Sequence, residues 1–268
     1  MIYYHIVSNY NKQIVEKKKQ KRGKNKMFSS DKRVIYGIII AMAVITLLNS
    51  STNGLLGLLT SLPGVLLAMT FHEFAHALAA DRLGDDTPRR QGRLTLNPMA
   101  HIEPLGILML LFVRVGWGKP VQVNPRNYDR RFSVEKSDAI VSIAGPLMNF
   151  FLAIILTIVY CAIIKFVPVQ FIFSTVGVVI LAIIFDAIIV NIGLGVFNLI
   201  PLPPLDGSKV ILPVLPYKAK YWLQNNEQIF YTIFLVLWVT GLAGRFISPI
   251  IEMFANQILS LGYFIFGL

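Results

Sequence analysis

Two histidines and a glutamate lie within five consecutive residues of an apolar stretch, in the pattern His72-Glu73-x-x-His76. On a helix, the i and i+4 spacing places both imidazoles on one face, one turn apart. Two imidazoles placed in this way can share a zinc ion, and the glutamate beside them can take a proton from a bound water. Polar packing without a metal is the alternative, but such residues are costly in a lipid-facing helix and usually mark function.

A catalytic zinc site needs a third protein ligand and an open position for water. Asp206 is the candidate, because it follows an apolar run that ends in NLIPLPPLDG, from Asn198 to Gly207. The prolines break the predicted helix close to the depth of His76, and backbone freed in this way is tolerated only where it lines a protein cavity. A simple turn is the competing interpretation of this Asp-Gly pair, and the residues alone leave it open.

The overall composition is that of a membrane protein. Hydrophobic residues make up 55% of the 268 residues and charged residues only 15%, and the mean hydropathy is +0.62. Soluble domains have about 45–50% apolar and about 25% charged residues. The sequence therefore predicts an all-α polytopic membrane protein. Residues 1–33 are expected to form a basic, disordered tail and residues 34–268 a single transmembrane domain.

Six apolar segments are predicted to be transmembrane helices. They are residues 34–49, 54–80, 138–164, 171–200, 228–244 and 246–267. A seventh apolar stretch, Leu105 to Val113, is too short to cross and is predicted to be a re-entrant or interfacial segment. The region 82–137 is rich in Gly, Pro and Asn and is predicted to hold short strands and turns at the cytoplasmic face.

The formal net charge of +11 is concentrated before and between the predicted spans. Residues 1–33 contain ten Lys and Arg against two acids, and residues 82–137 contain ten more cations. The positive-inside rule predicts that both segments are cytoplasmic, so six spans place both termini in the cytoplasm of a cell-membrane protein. The basic tail is interpreted as an orientation signal and a contact for anionic lipids, with nucleic-acid binding as the weaker alternative.

Taken together, these motifs resemble the site-2 protease family of intramembrane zinc metalloproteases (peptidase family M50), most closely its compact members without a PDZ domain. The resemblance covers about residues 34–210. Besides the two motifs above, it rests on RLTLNP from Arg93, HIEPLG from His101, KPVQVNP from Lys119 and AGPLMN from Ala144. Glu103 stands where this subgroup usually has Asp, which leaves the role of that position open.

The resemblance implies a function and a set of site residues. His72, His76 and Asp206 are implied to hold one zinc ion per chain, with Glu73 as the catalytic acid/base. The implied reaction is the hydrolysis of peptide bonds in or near a transmembrane segment of a protein or peptide substrate. Asn198 matches the motif asparagine and is expected to hold the substrate or to stabilise an oxyanion.

Two other classes of function compete with the enzyme. A non-catalytic membrane protein could keep the zinc for structure or regulation, although such a site has no need of Glu73. A metal transporter would need acidic or His residues along a route across the membrane, for which the outer half offers little beyond Asp186. In the enzyme interpretation, a helical substrate must unwind locally and pair with a strand from residues 82–125.

Four further residues have roles that the sequence leaves open. His101 is a candidate metal or substrate contact, or simply a loop histidine. Asp186 lies mid-span and is either functional or a hydrogen-bonded packing residue. Asn149 is expected to pack a helix against the site, to contact the substrate, or to form a helix–helix hydrogen bond. Cys161, the only cysteine, cannot form an intramolecular disulfide and is interpreted as a packing residue.

Overall fold

A computed structural model of the protein describes residues 52–103, 106 and 118–268, all of which belong to one compact unit. The predicted basic tail and the predicted first span, 34–49, lie outside the described residues. So does the predicted re-entrant segment, Leu105–Val113, apart from Gly106.

Nine α-helices lie within the described residues. They are α1 (Thr52–Arg82), α2 (Thr87–Arg90), α3 (Val134–Phe166), α4 (Val169–Ile172), α5 (Thr175–Asn198), α6 (Asp206–Ile211), α7 (Tyr217–Asn225), α8 (Glu227–Val239) and α9 (Leu242–Phe266). Three short 3-10 helices accompany them, Pro98–Ala100, Pro125–Asn127 and Leu212–Val214.

Four of these helices, α1, α3, α5 and α9, are long and apolar enough to cross a membrane. They correspond to the predicted spans 54–80, 138–164, 171–200 and 246–267. Serine side chains set the start of two of them: Ser133 accepts from the backbone N–H of Lys136 before α3, and Ser174 accepts from that of Gly177 before α5. Such N-caps satisfy helix N–H groups that have no partner within the helix.

Helices α1, α3 and α5 pack against one another and form the centre of the molecule. Gly64 on α1 approaches the backbone of α5 so closely that a Cβ there would lie 2.6 Å from the Cα of Ala187. Small residues allow this close approach between membrane helices, where van der Waals packing takes the place of the hydrophobic driving force. A buried apolar cluster joins α3, α5 and α9 through Ala153, Ile188, Ile192, Val196 and Ala255.

The predicted fifth span corresponds to a short helix, α8, that is not among the helices of membrane-spanning length. Helix α8 has 13 residues, against the roughly 20 that a span requires. The hydroxyl of Thr240 bonds back to the carbonyl of Val236, and Gly241, with φ of +72°, starts the turn into α9. The predicted span over 228–244 is therefore not confirmed, since the helix there ends at Val239.

This short helix changes the position of the C-terminus. Helix α9 runs parallel to α3, because Phe254 packs on Phe150 with ring centroids 5.2 Å apart and Phe266 packs on Phe166 at 6.2 Å. The C-terminal residue, Leu268, therefore lies at the end of α3 opposite the cation-rich region that precedes it. The prediction that both termini lie on the cytoplasmic side stays a prediction.

The region between α1 and α3 contains turns and extended backbone in place of the predicted short strands, and none of the described residues is in a strand. The reason is visible in the hydrogen bonds of the extended residues 118–124. The backbone N–H of Val121 donates to the Glu73 carboxylate, and that of Asn124 donates to the Asp85 carboxylate. These N–H groups therefore donate to side-chain oxygens. In a strand they would donate to the backbone carbonyls of a neighbouring strand.

Candidate metal centre

The two histidines of the sequence motif lie on the inward face of α1, as their spacing predicts. Both are buried, and their Nε2 atoms are 3.0 Å apart. The rings are nearly perpendicular, with centroids 4.6 Å apart and an interplanar angle of 87°. Each imidazole therefore presents its Nε2 atom to the same small volume.

Asp206 reaches this volume from a turn that follows α5. The turn is tight at Gly207, where a Cβ would lie 2.3 Å from the carbonyl oxygen of Leu199. Glycine therefore allows α6 to begin directly against the end of α5. The Asp206 Oδ2 atom consequently lies 3.1 Å from Nε2 of His72 and 3.1 Å from Nε2 of His76.

These three side chains are the group of potential metal ligands found among the described residues. A tetrahedral zinc with ligand distances of about 2.0–2.1 Å needs ligand atoms roughly 3.3 Å apart. The observed 3.0–3.1 Å separations fit this requirement with a small adjustment. Two imidazoles and one carboxylate also form a ligand set of the kind that catalytic zinc sites use, with a fourth position left for water.

Gly145 on α3 leaves room for the ligand atoms. A Cβ at this position would lie 2.5 Å from Nε2 of His76 and 2.7 Å from Nε2 of His72. Real side chains do not tolerate such distances, so any larger residue would push the imidazoles aside. The sequence motif AGPLMN contains this glycine, but its role follows only from the way α3 packs on α1.

The other ring nitrogens of the two histidines fix their tautomers. The Nδ1 atom of His72 lies 2.7 Å from Oδ1 of Asn149, and that of His76 lies 2.7 Å from the carbonyl oxygen of Val141. Both partners are acceptors, so each Nδ1 carries the proton and each Nε2 keeps a free lone pair. This is the arrangement that metal-ligating histidines require.

Asn149 is itself held in place by a buried polar chain. Its side-chain amide donates to the carbonyl of Ala68 at 3.0 Å and to Oδ1 of Asn191 at 3.1 Å, which leaves Oδ1 of Asn149 for His72. Asn191 in turn donates to the carbonyl of Ala187. Both asparagines are completely buried. Asn149 thus packs α3 against the site and also bonds across helices, two of the roles left open by the sequence.

The carboxylate of Asp206 is partly buried, and one of its oxygens lies beside both imidazole rings. A charged carboxylate is the form that binds a metal ion.

Glu73 lies next to the three candidate ligands on a neighbouring face of α1. Its Oε2 atom accepts a hydrogen bond of 2.8 Å from the backbone N–H of Val121, in the extended segment 118–124. Among the described residues, the Glu73 carboxylate has no second hydrogen-bond partner. A glutamate held by one oxygen and free at the other suits a proton-transfer role.

A polar cavity of about 230 Å³ connects these groups. It is lined by the three candidate ligands and Glu73, and by Pro120, Val121, Val123, Val141, Ser142, Asn198, Pro204 and Lys209. Asn198, predicted from its motif, thus lines the same cavity as Glu73. Lys209 and the Val121 N–H are contributors that sequence reasoning missed, because neither has a signal in residue type or spacing.

Three other residues singled out in the sequence lie outside the ligand group. His101 is buried, and its Nε2 donates to the carbonyl of Thr95 at 2.8 Å, so it serves its own loop. Asp186 accepts a 2.5 Å hydrogen bond from the hydroxyl of Thr60, which links α5 to α1. Glu103 is partly buried and does not line the cavity.

Comparisons with known proteins identify the family. The family model described as Peptidase family M50 matches residues 61–241. A Bacillus subtilis (strain 168) protein named "Putative zinc metalloprotease YwhC" is 36% identical over 202 residues, which cover 74% of this chain and 88% of that protein. The Mycolicibacterium smegmatis protein named "Putative zinc metalloprotease Rip2" is 29% identical over 194 residues, 71% of each chain. No solved structure gives a significant match.

The matched region contains the three candidate ligands, Glu73 and Asn198, together with the helices that bring them together. The predicted resemblance to site-2 proteases is confirmed by the family match and by these relatives. The chain belongs to peptidase family M50 and is a zinc metalloprotease with the apolar helices of a membrane protein.

Proposed function

We propose that His72, His76 and Asp206 hold one zinc ion per chain and that Glu73 is the acid/base of an intramembrane protease. One observation carries this proposal: three lone-pair atoms lie 3.0–3.1 Å apart while both Nδ1 atoms donate elsewhere. Three acceptor atoms at such distances repel one another unless a cation lies between them. The site is therefore chemically complete only with a metal ion.

The residues around the ligands suit peptide-bond hydrolysis. A zinc ion, when bound, supplies Lewis-acid chemistry that lowers the pKa of a water and polarises a carbonyl. Glu73 accepts the water proton at its free oxygen and delivers it to the leaving amine. Asn198 uses one N–H to reach the carbonyl of Leu194 at 3.0 Å, and the second N–H can stabilise the oxyanion.

The proposed substrate is a protein or peptide with a transmembrane segment. His76 lies six residues before the end of α1 and Asp206 follows the end of α5, so a spanning substrate can present a peptide bond to the ligands. Because a helix hides its carbonyls in internal hydrogen bonds, the substrate must unwind near the site. Pro120, Val121 and Val123 line the cavity in a segment that is neither helix nor strand, so we propose that the unwound substrate lies alongside this segment.

The competing functions find less support. A non-catalytic zinc protein has no use for Glu73, whose carboxylate lies in the same cavity as the ligands. A transporter needs polar groups along a route, but Asp186 is engaged by Thr60 at 2.5 Å and lies apart from the ligand group. Neither alternative explains why a polar cavity of about 230 Å³ is lined by a glutamate and three candidate ligands.

We further propose that the protein lies in the cytoplasmic membrane, in contact with its lipids, with residues 82–137 in the cytoplasm. The cations of that region support this orientation through the positive-inside rule. Because α9 runs parallel to α3, the C-terminus then lies on the opposite side. A reporter protein that is active only in the cytoplasm, fused after Leu268, should be inactive. An active fusion would instead indicate that the C-terminus lies in the cytoplasm.

Two measurements test the catalytic proposal. The first is zinc per chain in detergent-purified wild-type protein beside Asp206→Ala, with about one zinc expected in the wild type and little in the variant. The second is cleavage of designed single-span proteins in liposomes, each with helix-breaking glycines at a different depth, with products identified by mass spectrometry. Wild-type protein should cut those whose glycines lie near the cytoplasmic face.

The matched variant for the second measurement is Glu73→Gln. It keeps the side-chain shape and all three ligands but removes the base, so it should retain zinc and lose cleavage. Cleavage at the wild-type rate by Glu73→Gln would overturn the proposed mechanism. If neither the wild-type protein nor Glu73→Gln contained zinc, the catalytic interpretation would fail. The non-catalytic zinc-binding interpretation would fail with it, because both need the metal.

A further inference from the structure

The backbone segment that holds Glu73 is attached to the protein on both sides of its contact. Between Pro120 and Pro125 the chain is neither helix nor strand, and Val121 donates its N–H to the Glu73 carboxylate at 2.8 Å. On one side, the N–H of Lys119 donates to the carbonyl of His101 at 2.8 Å. On the other side, the segment is attached to a single buried carboxylate, that of Asp85.

Asp85 is completely buried and accepts four hydrogen bonds. Two come from Thr87 at the start of α2, from its backbone N–H at 3.1 Å and its hydroxyl at 2.5 Å. The other two come from the far side of the loop, from the backbone N–H of Asn124 at 2.6 Å and the side-chain amide of Asn127 at 2.9 Å. The carboxylate thus joins α2 to the segment that touches Glu73.

These donors satisfy the Asp85 carboxylate without any cation. Neighbouring arginines bind other acids instead: Arg89 bonds to Asp81 at 2.7 Å, and Arg90 bonds to Asp86 at 3.0 Å. Burial alone would raise the pKa of Asp85, but hydrogen bonds from Thr87, Asn124 and Asn127 hold it below its ordinary value. The charged form is therefore the one that holds the loop together.

We propose that Asp85 is a positioning residue for Glu73, acting through the segment 118–124. By fixing the backbone at Asn124, it holds the Val121 N–H where it can engage one Glu73 oxygen and leave the other oriented toward the reacting water. Asp85 touches neither the ligands nor the cavity, so it acts only through this segment. The inference rests on the proposed catalytic role of Glu73.

Replacing Asp85 by Asn should separate positioning from metal binding. The amide offers one acceptor oxygen where four donors converge, and its NH₂ group faces other donors. The segment then loses its attachment at Asn124, and Glu73 loses a fixed orientation. We expect about a 10- to 100-fold lower turnover with zinc content unchanged, since small misplacements at an active site have effects of this size.

The adjacent acid provides a matched control. Asp86 has a side chain that is 52% exposed, and it forms only an i,i+4 ion pair with Arg90. Asp86→Asn makes the same chemical change one residue away and should leave turnover and zinc content at wild-type values. If Asp85→Asn and Asp86→Asn lose activity equally, the loss reflects a general effect of charge at this loop and the proposal is wrong.

A cysteine pair tests the position of the segment without relying on activity. The exposed side chains of Gln91, after α2, and Gln122, in the segment, lie 3.2 Å apart. The native Cys161 is buried, so Gln91→Cys with Gln122→Cys gives a clean pair for a short bifunctional thiol reagent. Cross-linking should be at least several-fold slower in Asp85→Asn than with Asp85 intact, and unchanged in Asp86→Asn.

The same cross-link tests whether the defect is one of position. Closing it in Asp85→Asn should restore most of the turnover, measured against the cross-linked pair with Asp85 intact. Loss of turnover with normal cross-linking, or no recovery after cross-linking, would overturn the proposal. If wild-type protein cleaves none of the designed single-span proteins, the proposed function fails, while the cross-linking rates still decide whether Asp85 holds the segment.

A second variant covers the case in which Asp85→Asn does not fold. Asn127→Ala keeps the carboxylate and removes only one of its four donors. It should slow cross-linking and lower turnover in the same direction but by a smaller factor, with zinc retained. Wild-type behaviour of Asn127→Ala in both assays would count against the proposal.

Discussion

A partly buried carboxylate, Asp206, and a completely buried one, Asp85, have opposite surroundings in this protein. Asp206 meets the lone pairs of two imidazole nitrogens at 3.1 Å, whereas Asp85 meets four hydrogen-bond donors at 2.5 to 3.1 Å. A carboxylate surrounded by acceptors needs a cation, but one surrounded by donors is already satisfied. The comparison indicates that the hydrogen-bonding partners of an acid separate a candidate metal ligand from a structural residue.

The strongest test of this comparison makes the same substitution at both acids. Asp206→Asn should lose most of its zinc affinity, because structural zinc binding is worth about 10–16 kcal/mol over four ligands, or roughly 100- to 1,000-fold per ligand. Asp85→Asn should keep wild-type affinity. Titration of zinc-depleted protein with a competing chelator measures both. Equal loss of zinc in the two variants would remove the distinction.

A second large effect, on turnover in place of zinc affinity, is expected at Glu73. Glu73→Gln should lower turnover by about 10²- to 10⁴-fold, the usual contribution of a general acid/base. Its zinc affinity should stay within a few-fold of wild type, because the ligands and their outer partners are unchanged. Cleavage rates in liposomes and zinc titration, made on the same preparation, measure the two quantities. Loss of zinc in this variant would indicate that Glu73 is itself a ligand.

A methyl group beside the ligands should weaken metal binding without touching a ligand. In Gly145→Ala the new Cβ lies 2.5 Å from Nε2 of His76, so the imidazoles must shift. We expect zinc affinity to fall by about 100-fold, at the upper end of effects seen on supporting residues. Gly57→Ala, where a Cβ has nothing within 4 Å, is the control. Unaltered affinity in Gly145→Ala would mean that the ligands lie farther from α3.

A smaller loss is expected when the outer partner of a ligand is removed. Asn149→Leu leaves the Nδ1 proton of His72 without its acceptor, so the ring is no longer held in one tautomer. Changes of this kind weaken metal binding by about 10- to 100-fold. Asn191→Leu removes only the partner of Asn149 and should have a weaker effect on the same zinc titration. A larger loss of zinc affinity in Asn191→Leu than in Asn149→Leu would contradict the proposed order of these hydrogen bonds, in which Asn149 contacts His72 directly.

The smallest effect concerns stability at acid pH. The folded-state pKa of Asp85 lies below its unfolded value, near 3.9, so its contribution is complete above that value and is lost as the pH falls through the folded pKa. Asp85→Asn should be about 1–3 kcal/mol less stable at neutral pH, and the difference should shrink below about pH 4. Thermal unfolding of zinc-free protein in detergent, with Asp86→Asn as control, measures this. A constant difference across pH would contradict it.

The location of the chemistry could be predicted from local sequence. The i and i+4 spacing of His72 and His76 defines one helix face whatever surrounds it, and the prolines before Asp206 predict a break in the helix that precedes it. Each apolar run of sufficient length likewise predicts a span, which α1, α3, α5 and α9 satisfy.

Other features could not be predicted from the sequence. Local patterns do not determine where a helix ends or which acceptors the backbone N–H groups find. The span expected over 228–244 ends at Val239, because the following Thr240 and Gly241 favour a turn over apolar continuation. The expected strands are not found among the described residues, because the Glu73 and Asp85 carboxylates take backbone donors of the 118–124 segment.

The sequence by itself determined that this chain is a membrane metalloprotease and which residue types carry its chemistry, because motif spacing and apolar run length are local properties of the chain. Only the tertiary structure decided which groups surround them. Asn149 and Val141 supply the acceptors for the histidine Nδ1 atoms, and Gly145 leaves space for the rings. Val121 donates its N–H to Glu73. All of these groups come from other parts of the chain. Such contacts depend on how helices pack, and a pattern along one helix does not contain that information.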